Sequence, residues 1–219
     1  MDVRRLYDEQ KELSKKAILT DSFPPIRRIG GVDCSYLKEE YIIAGLVVLD
    51  FDSLKPVYRT FDTRKLTFPY IPGLLAYREA DAMMAVIEKA KVRPDLVMVD
   101  GFGTNHPRRC GIATHIGIKL DMPTIGVGKS FLCGEVKNGR IYQEGRITGR
   151  IVRAVPEQKP VYVSPGHRIS LVTAIKVVKH CIRGHRQPEP TRRAHEYATS
   201  LKNKFLLRAN SSLAKTKPR

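Results

Sequence analysis

The chain has 219 residues, 42% of them hydrophobic, which is enough for one domain with a buried core and short for two. Its 39 lysines and arginines exceed its 22 aspartates and glutamates, and the formal charge of +17 predicts a polyanionic partner, with nucleic acid first. No stretch is apolar over the ~20 residues that a spanning helix needs, and the N-terminal residues lack the apolar core of a signal peptide, so we expect no membrane insertion and a cytoplasmic protein.

The first part of the chain predicts a helix followed by a sheet. Residues 3–18 repeat apolar positions at a helical period, and Pro24 and Pro25 break this helix. Three strand-like runs with short polar links follow, at Arg28 to Tyr36, Tyr41 to Leu49 and Leu54 to Phe61. Links of this kind favour an antiparallel meander.

The pattern then alternates between helix and strand. The predicted elements are a helix from the loop at Gly73 to about Lys91, a strand at Leu96 to Val99, a helix at Ile112 to Lys119, a strand at Thr124 to Val127, strand candidates near Ile141 to Val152 and at Val161 to Val163, and helices from about Ser170 to Arg183 and Thr191 to Leu201. A strand, helix, strand crossover returns parallel to its first strand. The fold class predicted is α/β, with a ribonuclease-H-like mixed sheet in which a three-strand antiparallel meander is continued by parallel strands and flanked by helices.

We expect a single domain over residues 1–219 without internal repeats. The last residues, about 203–219, are basic with few apolar anchors, which predicts a flexible tail. Either solubility or loose phosphate contact would explain its charge. The four cysteines are far apart, without metal-ligand or disulfide spacing, and are expected to be reduced thiols.

Two aspartates lie where a charge needs an explanation. Asp33 interrupts a predicted core strand, so it is either paired or metal-bound, or it sits at a strand end facing solvent. Asp100 closes the buried strand that begins at Leu96, and ligands in open α/β sheets bind at the carboxyl ends of parallel strands. This position favours a functional role for Asp100 over a loop cap.

Glu79 lies within the apolar stripe of its predicted helix. Alone it would be a glutamate at the edge of the stripe that reaches solvent. Together with Asp33 and Asp100, however, it gives three carboxylates aimed at one side of a sheet. Such a group repels itself unless a cation neutralises it, and hard oxygen ligands select Mg²⁺ or Mn²⁺. With a substrate phosphate, this arrangement predicts phosphodiester hydrolysis.

Other polar residues around these strands could assist. Lys129 follows a strand, where its ammonium could offset charge on the phosphorus transition state; its GVGKS context lacks the first glycine of a P-loop, since Pro123 takes that place. His106, in a loop rich in donors, could contact phosphate or be structural. His195 could be a metal ligand or proton carrier, although the residues alone favour simple exposure.

Between Phe68 and Gly73, an aromatic and an aliphatic residue stand between two prolines. Proline stiffens the loop, so Tyr70 and Ile71 could insert beside a flipped base. Filling of the core by the same side chains is the simpler alternative.

From Gln10 onward, the sequence resembles the endonuclease V family over nearly its whole length. The segments that carry the resemblance are GVDCSY, FPYIPGLLAYREA, DLVMVDGFGTNHPRRCGIATHIGI, DMPTIGVGKSFLCG, YVSPGHRIS and EPTRRAH. The resemblance implies a ribonuclease-H-like fold and a Mg²⁺-dependent enzyme, in which Mn²⁺ can substitute. Such an enzyme recognises deoxyinosine in DNA and cuts the second phosphodiester bond on its 3′ side, leaving a 3′-hydroxyl and a 5′-phosphate.

The resemblance also implies roles for individual residues. Asp33, Glu79 and Asp100 match the metal-binding carboxylates, His195 matches a position near the metal, and Lys129 matches the catalytic lysine. The strand-separating wedge corresponds to Pro69, Tyr70, Ile71 and Pro72, and the hypoxanthine pocket to Gly73, Leu75, Gly101 and Leu132. Phe131 departs from the family, since many relatives carry arginine there, so a phosphate contact is either missing or supplied elsewhere.

Several functions remain open at this stage. The nearest alternative is the same fold acting on inosine in RNA, because no residue reveals whether the site accepts a 2′-hydroxyl. A non-catalytic nucleic-acid-binding module and a junction-resolving or hybrid-cutting nuclease are further alternatives. The expected partner is inosine-containing nucleic acid, and we expect a monomer.

Overall fold

The computed structural model describes residues 2–153 and 155–215, with side chains described as far as Arg208. The helices are α1 Val3–Lys15, α2 Leu75–Glu88, α3 Ile112–Leu120, α4 Leu171–His180 and α5 Glu189–Lys215. The strands are β1 Arg28–Leu37, β2 Tyr41–Asp50, β3 Pro56–Lys65, β4 Leu96–Asp100, β5 Thr124–Gly128, β6 Glu135–Lys137, β7 Arg140–Gln143, β8 Arg146–Val152 and β9 Val161–His167.

The described strands form one nine-stranded sheet in the order β3-β2-β1-β4-β5-β9-β8-β7-β6. Strands β1 to β3 make an antiparallel meander, and β4 and β5 continue it in parallel with β1. The ribonuclease-H-like mixed α/β fold predicted from the sequence is thereby confirmed. Strand β9 then pairs antiparallel to β5, so the parallel part of the sheet ends there.

Helices cover both faces of the sheet, which explains the nearly continuous apolar run of β2. Successive side chains point to opposite faces: Ile42, Leu46 and Val48 pack with α2 and α3, whereas Val47 and Leu49 pack in a second core with α4. Within the residues described, no helix is both long and apolar enough to cross a membrane.

The region after β5 differs from the prediction. One strand candidate near Ile141 to Val152 is in fact the hairpin β7–β8, which turns at Glu144 and Gly145, both with positive φ. The short strand β6 was not predicted. It is joined to β7 by a turn at Asn138 and Gly139, which also have positive φ angles. Such turns match the right-handed twist of the strands they join.

The predicted end of the last helix near Leu201 is wrong. Helix α5 continues to Lys215, through most of the segment predicted as a flexible tail. Apolar contacts explain part of this extension, because Leu201 is buried and the ring of Phe205 packs edge-on against Phe61 of β3 at 6.1 Å. The end of the predicted tail, residues 216–219, lies outside the described residues.

Candidate active site

Two of the predicted carboxylates lie side by side at the centre of the sheet. Asp33 belongs to β1 and Asp100 ends β4, and the parallel register that pairs Val32 with Val99 makes the following aspartates neighbours. Glu79 is held above the sheet by α2, where it is 7% exposed among buried apolar residues. The chain therefore brings all three carboxylates to one side of the sheet.

Asp33 and Asp100 form a compact group with His195. Each residue offers one ligand atom, and these atoms all lie within 4.8 Å of one another. Two carboxylates and an imidazole are a donor set that fits a divalent cation, with the carboxylates suited to Mg²⁺ or Mn²⁺. Glu79 is not part of this compact group; its Oε1 accepts a hydrogen bond from the hydroxyl of Tyr36.

The carboxylates perturb one another. Burial raises the pKa of Glu79 to about 7; the hydrogen bond from Tyr36 opposes this rise, and the charges of Asp33 and Asp100 add to it. Burial, followed by the charge of Asp33, raises the pKa of Asp100 to about 6, against the effect of Lys129. Because the ionised carboxylates repel one another, a bound cation would stabilise their charged forms.

Lys129 and His195 each contact one of the aspartates. Lys129 follows β5, and its Nζ lies 2.5 Å from Oδ2 of Asp100. His195 Nδ1 lies 2.7 Å from Oδ2 of Asp33, and this hydrogen bond raises the pKa of the imidazole. The His195 side chain is 49% exposed, so the exposure expected from the sequence is compatible with a place beside the carboxylates.

Close backbone packing brings helix α5 to the carboxylates. A Cβ on Gly31 would lie 1.9 Å from the carbonyl oxygen of Pro190, so only glycine permits this approach of β1 to the helix start. Buried Glu189, at the first helical position, pairs with Arg192 and Arg193 at 2.7 and 2.8 Å. This packing and these ion pairs fix the end of α5 that carries His195.

Two further polar residues were missed by the sequence analysis. Gln187 Nε2 donates to Oδ2 of Asp100 at 3.4 Å. The guanidinium of Arg186 donates to the carbonyl of Lys129 and to that of Pro160 at 3.0 Å, which ties the lysine's backbone to the neighbouring loop. Their only sequence signal is a place just before α5, so periodicity could not have found them.

A cavity of about 170 Å³ opens next to these groups. Its lining consists of Gln10, Tyr70, Gly73, Leu75, Ala76, Phe102, His106, Gly111, Ile112, Ser130 and Leu132. Two of the lining residues are close in sequence to residues of the site, since Phe102 lies two positions after Asp100 and Ser130 directly follows Lys129. The cavity therefore lies beside the ends of the strands that carry these residues. We call it the base-sized pocket.

Three of the four predicted pocket residues, Gly73, Leu75 and Leu132, line this base-sized pocket, and His106 lines it as well. Gly101 is not among the described lining residues, although its neighbour Phe102 is. Gly101 has a positive φ, and a Cβ added to it would lie 2.5 Å from the Ile112 side chain, so both the backbone and the packing require glycine there.

The loop before α2 presents Tyr70 at the mouth of the base-sized pocket, with the residue 67% exposed. The simpler alternative, in which Tyr70 fills the core, is therefore wrong. Pro69 and Pro72 are also exposed, and Ile71 is half-buried; none of these three is among the described lining residues.

His106 is buried in the pocket wall. The backbone N–H of Arg108 donates to its Nδ1 at 3.3 Å, which leaves the proton on Nε2 to be donated to the carbonyl of Gly73 at 3.0 Å. Burial, with the nearby charge of Arg108, lowers the pKa of His106 to about 4. A neutral imidazole held in this way favours the structural role over phosphate binding.

Phe131, the residue that departs from the resemblance, is 47% exposed between Lys129 and Leu132, with its ring 6.1 Å from that of Tyr162. An aromatic side chain offers no donor to a phosphate there. A guanidinium does reach this loop from elsewhere, since Arg186 donates to the carbonyl of Lys129.

Comparisons with known proteins agree on one family. The family model described as Endonuclease V matches residues 11–196. Endonuclease V of Dictyoglomus turgidum is 44% identical over 211 residues, covering 91% of this chain and 92% of the relative. Endonuclease V of Gloeobacter violaceus is 42% identical over 207 residues, covering 89% of this chain and 84% of the relative.

Solved structures give the same result. The crystal structure of human ENDOV superposes with a TM-score of 0.84 at 29% identity, covering 92% of this chain and 99% of that one. Endonuclease V of Ciona intestinalis, in complex with a 24mer DNA containing an inosine followed by a ribo-adenosine, has a TM-score of 0.84 at 30% identity and covers 93% of this chain and 98% of that one.

Proposed function

The chain belongs to the endonuclease V family, and from that premise we propose that it is a Mg²⁺-dependent endonuclease that recognises deoxyinosine in DNA. It hydrolyses the second phosphodiester bond on the 3′ side of the lesion and leaves a 3′-hydroxyl and a 5′-phosphate, as a step in the repair of deaminated adenine. The observation that carries this proposal is the group of Asp33, Asp100 and His195 next to the base-sized pocket.

Asp33, Asp100 and His195 would hold the divalent cation, and Glu79 would complete the acidic site. When bound there, Mg²⁺ polarises the scissile phosphate and lowers the pKa of an attacking water. Lys129 holds its ammonium on Asp100, from where it can stabilise the charge that develops on the phosphate oxygens. Arg186 holds the backbone carbonyl of Lys129 in place.

The base-sized pocket would receive the flipped hypoxanthine. Hypoxanthine presents an oxygen where adenine has an amine, and it lacks the exocyclic amine of guanine. Backbone groups near Gly73 and Leu132 can be placed close to the base because the lining includes small residues. Exposed Tyr70 at the pocket mouth can replace the stacking that the flipped base loses, with the adjoining prolines as the wedge.

The substrate class has independent support. A formal charge of +17 suits a phosphate backbone, and the Ciona intestinalis relative was crystallised with inosine-containing DNA. A ribo-adenosine follows the inosine in that complex, which favours inosine in RNA as the second candidate substrate for this chain. We propose that the enzyme acts as a monomer and as one domain, because every group named above comes from one chain.

The test is single-turnover cleavage of matched DNA and RNA strands, labelled at the 5′ end and carrying one inosine or one adenine at a fixed position. We expect a nick one nucleotide 3′ of deoxyinosine that requires Mg²⁺, disappears with chelator and is absent from the adenine strand. Asp100→Ala should abolish it. Equal nicking by that variant, or none by the unmodified chain on any inosine strand, would refute the proposal.

A further inference from the structure

The carbonyl oxygen of Gly73 accepts hydrogen bonds from three side chains. Gln10 Nε2 donates at 3.1 Å, His106 Nε2 at 3.0 Å and Arg108 Nη2 at 2.7 Å. The three donors come from helix α1 and from the loop after β4. Gly73, Gln10 and His106 all line the base-sized pocket, so the hydrogen bonds that join them are built into its wall.

These donors hold one another in place. Gln10 is 1% exposed, and its Nε2 also donates to the carbonyl of Cys110 at 3.2 Å. Arg108 Nε donates to Oε1 of Gln10 at 2.5 Å, and the guanidinium lies over the ring of Tyr7 at 3.9 Å. The amide of Gln10 is thus fixed with its nitrogen toward the carbonyls, because its oxygen accepts from Arg108.

A carbonyl oxygen has two lone pairs. Three protein donors therefore leave it without acceptor capacity for a ligand. This matters for purine recognition, because guanine and adenine each carry an exocyclic amine that donates, whereas hypoxanthine carries none. An amine that enters a pocket and finds no acceptor loses the hydrogen bonds it made to water, and the base that bears it is disfavoured.

We propose that Gln10 and Arg108 are specificity-determining positioning residues, which together with His106 occupy the Gly73 carbonyl so that the pocket wall cannot reward an exocyclic amine. This inference rests on the proposed function and deepens it. Helix α1, which contributes no metal-binding carboxylate, then acts as a part of base selection.

The number of donors gives a sharp test. Because any two donors fill the carbonyl, Gln10→Leu and Arg108→Met should each keep the selectivity of the unmodified chain. The double variant leaves only His106, which frees one lone pair. We expect its ratio of single-turnover nicking at inosine over guanine, in otherwise identical DNA strands, to fall on the order of tenfold, the worth of one regained hydrogen bond.

A matched control is Arg59→Met, which removes an arginine that also lies over a tyrosine ring, that of Tyr197, away from the pocket. Thermal unfolding is measured for every variant. Should the first double variant be unfolded at the assay temperature, Gln10→Leu with His106→Phe leaves Arg108 as the single donor and serves the same purpose.

The outcomes separate the inference from the proposed function. No nicking at inosine by the unmodified chain would refute the proposed function itself. With that nicking present, a folded double variant that still discriminates as the unmodified chain does would overturn the inference. So would a full loss of selectivity in Arg108→Met alone, since two donors would remain on the carbonyl.

Discussion

The buried carboxylates predict that the metal-free protein loses stability as the pH rises. The pKa of Glu79 is raised from 4.5 to about 7 by burial, so the folded state binds a proton more tightly than the unfolded state. For an acid shifted in this direction, the penalty is absent below the unfolded pKa, grows between pH 4.5 and about 7 and is complete above that window. Asp100, raised from 3.8 to about 6, acts in the same direction over a lower window.

The size of the effect follows from the shift. Between about pH 5 and pH 8, ionisation of Glu79 should destabilise the folded state by roughly 2 to 3 kcal/mol. At roughly 2 to 4 °C per kcal/mol for a chain of this size, the Tm should fall by roughly 5 to 10 °C more than in a variant that lacks the carboxyl group. Thermal unfolding with chelator, over a series of buffers, measures this directly.

Glu79→Gln is the matched control, since it keeps the shape of the side chain and removes its titration. Saturating Mg²⁺ or Mn²⁺ should flatten the fall in the unmodified chain, because a cation stabilises the ionised carboxylates. Identical pH slopes for the unmodified chain and Glu79→Gln, both without metal, would refute the reasoning that burial holds this carboxyl group near neutrality.

Three further outcomes are expected. Tyr36→Phe removes the hydrogen bond to Glu79, and a hydrogen bond to a charged group is worth about 1.5 to 3 kcal/mol. The Mg²⁺ concentration for half-maximal nicking should therefore rise on the order of tenfold near pH 6.5 and less near pH 8.5. An equal Mg²⁺ requirement at both pH values would count against this role of Tyr36. Tyr70→Ala should reduce nicking at inosine by about 10- to 100-fold, because the stacking that replaces the flipped base is lost. The control Tyr41→Ala, at an exposed tyrosine on β2, should nick as the unmodified chain does. Equal losses in both variants would contradict the role of Tyr70 as a wedge. Binding to DNA should weaken steeply with salt and to a similar extent for inosine and adenine strands, which fluorescence anisotropy measures; a flat response would contradict a phosphate-binding groove.

The sheet centre could be predicted because its signals are local. Asp100 ends a buried apolar strand, Lys129 follows the next one, and parallel neighbours bring such ends together. The hairpins at the β6 edge of the sheet have local turn signals, Asn138-Gly139 and Glu144-Gly145, but the strands between them are too short for an apolar pattern to predict them.

Contacts between distant parts of the chain could not be predicted in this way. The hydroxyl of Tyr36 reaches Glu79 from another element, and Gln187 reaches Asp100 across 87 residues. Periodicity describes which face a residue occupies, but it does not describe which partner meets it there. The length of α5 could not be predicted for a related reason, since the contact of Phe205 with Phe61 of β3 joins distant parts of the chain.

The pairing of His195 with Asp33 joins residues separated by 162 positions in the chain. In a chain made from its N-terminus, Asp33 is therefore synthesised well before its histidine partner. During synthesis, the strands that carry Asp33 and Asp100 and the helix that carries Glu79 can form before the last helix has emerged from the ribosome. The nascent chain then already holds its carboxylates but lacks His195 beside them, so this site is completed only after the start of α5 has been synthesised.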